Sequence, residues 1–265
     1  MNGTDLRAKM AGGERVYGTM VSLIRNTRWA NTYGRLGFDY VIVDTEHSPT
    51  NRSEAADLAS AFLLNGICPI IRVPTTDPAE TIKGLDAGFH GVLVPYCESV
   101  EEVKAVVHAA RLRPLKGVLH GLARETGGHP SEATKQYLEE RNKNVVVIIG
   151  IESVPAMENL DSILDVGGID AIFIGPNDLS ITLGVPDEYD NPTFIEATEH
   201  IIATAQKRGI PAGGHWQTEK DIERWMGKGS RFVLYSSDTR ALTEGYRHSL
   251  NKFRNAAVGQ LEDVI

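Results

Sequence analysis

Eight times along this chain a short apolar, β-branched run gives way to a longer segment with helical spacing. The strand candidates are VYGTMVSL (16–23), YVIVDTE (40–46), CPIIRVP (68–74), GVLVPYC (91–97), VVVIIGIE (145–152), AIFIGPND (171–178), IPAGGHW (210–216) and RFVLYSSD (231–238). Most are nearly continuous in apolar residues, as expected of parallel strands covered on both faces. The segments between them carry helix signals. NRSEAADLASAFLLNG (51–66) stops on Gly66, Asp77-Pro78 reads as an N-cap with proline in the first turn, and Ser99 with Glu102 three residues later is a capping box. Strict βα alternation predicts a (β/α)8 TIM barrel; a doubly wound sheet is the alternative, but eight strands in about 240 residues suit closure better. One domain over residues 1–265 is expected, with a longer insertion at about 115–144 that reads as loop plus one helix.

Composition narrows the function. The net charge of −8, with no basic run to override it, argues against a nucleic-acid partner. No apolar stretch approaches the ~20 residues that span a bilayer. The opening MNGTDLRAKMAGGERV lacks the apolar core of a signal peptide, so a cytoplasmic enzyme without a membrane partner is expected. Cys68 and Cys97 fall in strand candidates and read as small core residues rather than a disulfide framework.

Catalytic groups of such barrels project from the C-terminal ends of strands. Strand two ends in Asp44, Glu46 and His47, strand three in Arg72, and strand five in Glu152. Strand six ends in Gly175-Pro176-Asn177-Asp178, strand seven in His215 and Trp216, and strand eight in Ser236, Ser237 and Asp238. Each has a bland counterpart: Asp44 as a turn cap, Arg72 and Glu152 as a structural ion pair, His47 as a loop residue. Together they set acids, a histidine and an arginine at one end of the barrel. Glu152 and Asp178 come from neighbouring strands and repel each other unless a cation lies between them; a hard divalent ion accepts one or two carboxylates with waters and substrate oxygens. No Cys/His set has zinc spacing, no strand candidate ends in a lysine for a Schiff base, and neither a G-x-S-x-G elbow nor a Walker loop is present.

FDYVIVDTEHSP, IIRVP, GVLVP, IGIESVPAMENL and GIDAIFIGPNDLS together strongly resemble the HpcH/HpaI aldolases, the class II pyruvate aldolases, over about residues 16–245. The resemblance implies a TIM barrel of the phosphoenolpyruvate/pyruvate-domain type, with its last helix exchanged between subunits of a homohexamer built as a trimer of dimers. It implies a divalent metal ion (Mg²⁺, Mn²⁺ or Co²⁺) on Glu152 and Asp178, chelated by the 2-oxoacid. Arg72 would contact the keto oxygen, His47 oriented by Asp44 would transfer protons, and Glu46 would stand behind them. Backbone amides around Gly175, Pro176, Asn177 and Asp178 would receive the substrate carboxylate. The implied enzyme is a carbon–carbon lyase (an aldehyde-lyase) that cleaves a 4-hydroxy-2-oxoacid, such as a 2-keto-3-deoxy sugar acid, to pyruvate and an aldehyde through a stabilised enolate. A lyase or decarboxylase of another oxoacid or a CoA thioester, and a barrel that binds an oxoacid without turning it over, are the alternatives.

The sequence departs from that family at three places. Gly150 stands where glutamine is usual, Lys116 where arginine is usual, and His215-Trp216 is bulkier than usual. An inward-facing Gly150 leaves an expected amide-sized space, filled either by water or by a larger donor, with His215 and Trp216 reshaping the opposite wall.

Overall fold

In the computed structural model eight parallel strands close into a barrel in sequential order, β1 paired with β8. The structure describes residues 1–262, with side chains through 255; the last three residues of the expected 1–265 domain lie outside the described residues. In chain order the first half holds α1 (Gly3–Ala11), β1 (Val16–Val21), α2 (Trp29–Leu36), β2 (Tyr40–Asp44), α3 (Arg52–Leu64), β3 (Cys68–Arg72), α4 (Pro78–Asp86), β4 (Gly91–Val94) and α5 (Val100–Arg111). The insertion contributes α6 (Gly117–Thr126) and α7 (Glu132–Asn142). Then follow β5 (Val146–Ile151), α8 (Val154–Glu158), α9 (Leu160–Leu164), β6 (Ala171–Ile174), α10 (Pro176–Thr182), α11 (Pro192–Lys207), β7 (Ala212–Trp216), α12 (Glu219–Gly227), β8 (Phe232–Ser237) and α13 (Asp238–Glu262).

The predicted caps form: Ser99 and Glu102 make a capping box on α5, and the Asp77 carboxylate accepts the Ala79 N–H at the start of α4. A further capping box, Asn51 with Glu54, starts α3. Two expectations are corrected. The insertion holds two helices, not one, because Gly127-Gly128 and Ser131 end α6 and recap α7. Cys97 lies past the end of β4 rather than in it; like Cys68 it is a buried free cysteine, and burial pushes both thiols up.

Alternate residues of each strand point inward. Val16, Met20, Tyr40, Ile42, Cys68, Ile70, Leu93, Val146, Ile148, Ala171, Phe173, Phe232 and Leu234 form the barrel interior. Leu6 and Met10 of α1 join the same cluster and close its N-terminal end. The other strand faces pack against the helix ring in a second, larger cluster. α1 is held from outside too, since Asp170 accepts from Arg7 Nε at 2.8 Å, Arg111 Nη2 at 2.5 Å and the Val147 N–H at 2.8 Å.

Continuing each inward row by two residues reaches the barrel's C-terminal mouth. Ile42 is followed by Asp44, Ile70 by Arg72 and Ile148 by Gly150 and Glu152. The row that builds the core thus delivers the polar groups. Ile148 is fully buried in that row. Ile148→Ala is expected to cost about 2–5 kcal/mol and lower Tm by roughly 4–20 °C, read by differential scanning calorimetry.

Candidate active site

A cavity of about 600 Å³ opens at the C-terminal mouth, within the size range of small-molecule sites. Asp44, His47, Arg72, Glu152, Gly175, Pro176, Asn177, Asp178, His215 and Trp216 all line it, so the structure brings these expected residues together. Glu46 stands behind Arg72, to which it is ion-paired, with the His47 imidazole 3.6 Å away.

Register explains the first contact. Asp44 and Arg72 are paired positions of β2 and β3, and Arg72 Nε donates to Asp44 Oδ1 at 2.9 Å. The same oxygen accepts the N–H groups of Glu46 at 3.0 Å and His47 at 3.4 Å. Thr45 Oγ1 donates to the Arg72 carbonyl at 2.6 Å, and Ser48 Oγ donates to the Asp44 carbonyl at 2.5 Å. The D-T-E-H-S turn is therefore wound around the ion pair. Burial works against the Asp44 charge, but Arg72's hydrogen bond and charge and the two backbone N–H groups outweigh it and hold the carboxyl below its usual range. Arg72 Nη1 also reaches Glu46 Oε2 at 3.1 Å. Arg72 is thus paired with Asp44 and Glu46, and the plain Arg72–Glu152 ion pair does not form.

The expected orientation of His47 by Asp44 is corrected. Asp44 is turned toward Arg72 and takes only the His47 backbone N–H, while the imidazole Nε2 lies 3.6 Å from Glu46 Oε2 with the side chain 68% exposed. A turn of only three residues cannot bring the imidazole back over a carboxylate already committed to a neighbouring strand.

Glu152 is the anomaly of the site. Its side chain is buried, and its Oε1 meets no hydrogen-bond partner. Burial, then the charges of Glu46 and Asp178, push its pKa up to about 8. Two glycines make room for it: a Cβ at Gly150 would fall 2.3 Å from Oε1, and one at Gly175 would fall 2.4 Å from Oε2. The amide-sized space expected at Gly150 is therefore corrected: the Glu152 carboxyl itself fills it. Asp178 sits in the first turn of α10, whose N-cap Gly175 offers no side-chain cap, and Gly175 to Asp178 line the cavity. The Asn177 side chain turns away to Asp187.

These residues fit a divalent cation. A buried carboxylate oxygen without a donor, raised in pKa by neighbouring carboxylates, is the environment that a hard cation relieves. Among the described residues no three His, Cys, Asp or Glu side chains close on one point, so the chain offers Glu152 and Asp178 as an open pair rather than a complete cage.

The remaining wall was only partly visible in the sequence. His215 and Trp216 end β7 as expected, and Trp216 stacks on Trp225 with centroids 5.3 Å apart. Ser22, Tyr189, Gln217, Thr218 and Arg240 also line the cavity and were not foreseen. Only Arg240 had a signal, two residues past the Ser-Ser-Asp that ends β8.

A family model described as HpcH/HpaI aldolase/citrate lyase matches residues 20–244. The chain belongs to this family. It is 31% identical over 221 residues to a 5-keto-4-deoxy-D-glucarate aldolase of Salmonella paratyphi A, covering 83% of this chain and 86% of that protein. Among solved structures, an HpcH/HpaI aldolase of Desulfitobacterium hafniense DCB-2 superposes with a TM-score of 0.81 at 29% identity, covering 94% of this chain and 96% of the other. The citrate synthase SbnG superposes with a TM-score of 0.81 at 26% identity, covering 95% and 98%. The chain is a carbon–carbon lyase with the barrel its sequence predicts. No helix among the described residues is long and apolar enough to cross a membrane.

Gly175 has ordinary helical-entry φ and ψ, so alanine there meets only a space problem. Gly175→Ala is expected to displace the Glu152 carboxyl and weaken Mn²⁺ binding by tenfold or more, about 1.4 kcal/mol, in calorimetric titration, with an unchanged circular dichroism spectrum.

Proposed function

We propose that this protein cleaves a 4-hydroxy-2-oxoacid, of the 2-keto-3-deoxy sugar acid class, reversibly to pyruvate and an aldehyde. The observation that carries the proposal is the orphaned Glu152 carboxyl on the cavity floor, with Asp178 on the same floor and a fixed guanidinium at Arg72. The 5-keto-4-deoxy-D-glucarate named for the relatives falls in this substrate class.

Glu152 and Asp178 hold a divalent ion (Mg²⁺, Mn²⁺ or Co²⁺), which when bound supplies a Lewis acid for the oxoacid oxygens. The N–H groups of Asn177 and Asp178 receive the substrate carboxylate. Arg72, pinned through Nε by Asp44 and through Nη1 by Glu46, faces the negative charge that grows on the keto oxygen. As the C3–C4 bond breaks, its electron pair enters the enolate of pyruvate and the 4-hydroxyl loses its proton to give the aldehyde. His47, at the open edge beside Glu46, exchanges that proton with solvent and returns one to C3.

The test is pyruvate release from a panel of 4-hydroxy-2-oxoacids with and without EDTA. Glu152→Ala and Asp178→Ala are each expected to abolish Mn²⁺ binding and turnover in a folded barrel. His47→Ala is expected to lower kcat by roughly 10²–10⁴-fold while oxalate affinity changes little, which separates a catalyst from a barrel that only binds. Turnover that persists in EDTA sinks the proposal.

The chain is also proposed to act as a soluble cytoplasmic homo-oligomer, with the trimer-of-dimers hexamer of the resemblance as its form. Tyr246, Leu250 and Phe253 recur at helical spacing on α13 and are exposed, as are Val118, Leu119 and Leu122 on α6. Apolar stripes of this kind mark surfaces that other subunits cover. The double substitution Leu250→Asp, Phe253→Asp is expected to convert the assembly to monomer or dimer in light scattering coupled to size exclusion.

A further inference from the structure

His215 is a cavity-lining titratable group that the reaction above does not use. Its Nε2 lies 2.8 Å from the Ser236 carbonyl oxygen. A carbonyl only accepts, so the imidazole proton is on Nε2 and Nδ1 is left with a lone pair. The Gln217 amide lies 3.3 Å from the same Nε2, and with that nitrogen protonated it is the amide oxygen that belongs there. Among the described residues no donor reaches Nδ1.

The backbone is bent to make this contact. β1 and β8 pair Gly18 with Leu234 and then Met20 with Ser237, so one residue of β1 faces two of β8. Within that bulge Ser236 has φ 56°, a left-handed conformation that a non-glycine residue rarely adopts, and its hydroxyl is buried without a partner. Bulges beside active sites re-aim groups, and strain of this kind concentrates at functional sites. Here the re-aimed group is the carbonyl that fixes the His215 tautomer. Burial, reinforced by the charges of Arg72 and Arg240 and opposed by the Ser236 hydrogen bond and Asp44, brings the imidazole down to about 4. The ring thus stays neutral around neutral pH and acts there as an acceptor.

We infer that His215 is a specificity-determining residue whose Nδ1 accepts a hydrogen bond from a hydroxyl on the aldehyde half of the substrate. The role rests on the aldolase reading above and names the residue that reads the hydroxylated half of its substrate. Glu152, Asp178 and Arg72 serve the oxoacid half. The lining also holds Ser22, Gln217, Thr218 and Ser237 with Asp221 and Arg240, beside the Trp216–Trp225 pair, so polar groups are available to a hydroxylated chain. A fixed acceptor rewards a substrate O–H and is left unpaired by a deoxy analogue, which is how buried polar groups discriminate.

The experiment adds pyruvate to glycolaldehyde and to acetaldehyde and compares kcat/KM, with deuterium exchange into pyruvate measured alongside as the aldehyde-free half-reaction. His215→Leu is expected to reduce the glycolaldehyde-to-acetaldehyde ratio by roughly 10–100-fold, and His215→Asn, which keeps an acceptor, by less. In wild-type protein, ¹⁵N spectra of His215 are expected to show the neutral Nε2–H tautomer from about pH 5 to 8. A ratio unchanged by His215→Leu, a fall in exchange as large as the fall with glycolaldehyde, or an Nδ1–H tautomer overturns the assignment. Absence of pyruvate exchange in the wild type, with the tautomer as expected, instead overturns the aldolase reading on which it rests.

Discussion

The Asp44–Arg72 pair fixes the rest of the site. The two residues are register partners on adjacent strands, nearly excluded from water, and joined at 2.9 Å. Such a pair adds little net stability, because desolvation offsets the attraction, yet removing one partner costs about 3–5 kcal/mol by stranding the other charge. Its value is positional. Once Asp44 is committed to Arg72, its remaining capacity takes the N–H groups of Glu46 and His47 and sets the turn. Once Arg72 is committed through Nε, its Nη1 reaches Glu46. The guanidinium is then committed away from Glu152, whose Oε1 stays without a hydrogen-bond partner.

This arrangement keeps Glu152 in an unfavourable state on purpose. An acid buried among acids raises its own pKa and lowers the stability of the fold around it. Natural barrels tolerate such a defect where chemistry needs it and recover the stability elsewhere, here in the apolar interior and in the closure by α1. The two glycines belong to the same compromise. Gly150 and Gly175 give up side-chain packing so that a carboxyl lies flat between two strand ends.

Much of this was legible in the residues. Strand ends carry the chemistry because inward-facing positions alternate, and a sequence in which Ile42 leads to Asp44 and Ile70 to Arg72 states where packing stops. The caps at Asp77 and Ser99 were readable for the same local reason: each satisfies N–H groups within three residues. What escaped was set by partners far along the chain. The resemblance implied that Asp44 orients His47, but Arg72, 28 residues away, is opposite Asp44 in register and takes it instead. Gly150 read as a gap because one strand alone does not show that the Glu152 carboxyl folds back over it. The insertion read as one helix because in sequence Gly127-Gly128 and Ser131 look like part of its loop rather than a break and a new cap. The positive φ of Ser236 had no signal, since serine is not the residue such a conformation ordinarily selects.

On the proposed reaction, the cavity divides along the bond that breaks. One half would serve the oxoacid: two acids for a cation, a guanidinium for an oxyanion, backbone N–H groups for a carboxylate. Those requirements follow from the 2-oxoacid, so every enzyme that works through the same enolate needs them. The other half carries an imidazole held uncharged, an amide and hydroxyls, together with Asp221 and Arg240. Nothing in enolate chemistry dictates those groups, so they are free to follow the second substrate. On that division, the proposed oxoacid half sets the chemistry, and this protein's choice of second substrate is proposed to lie in the half around His215.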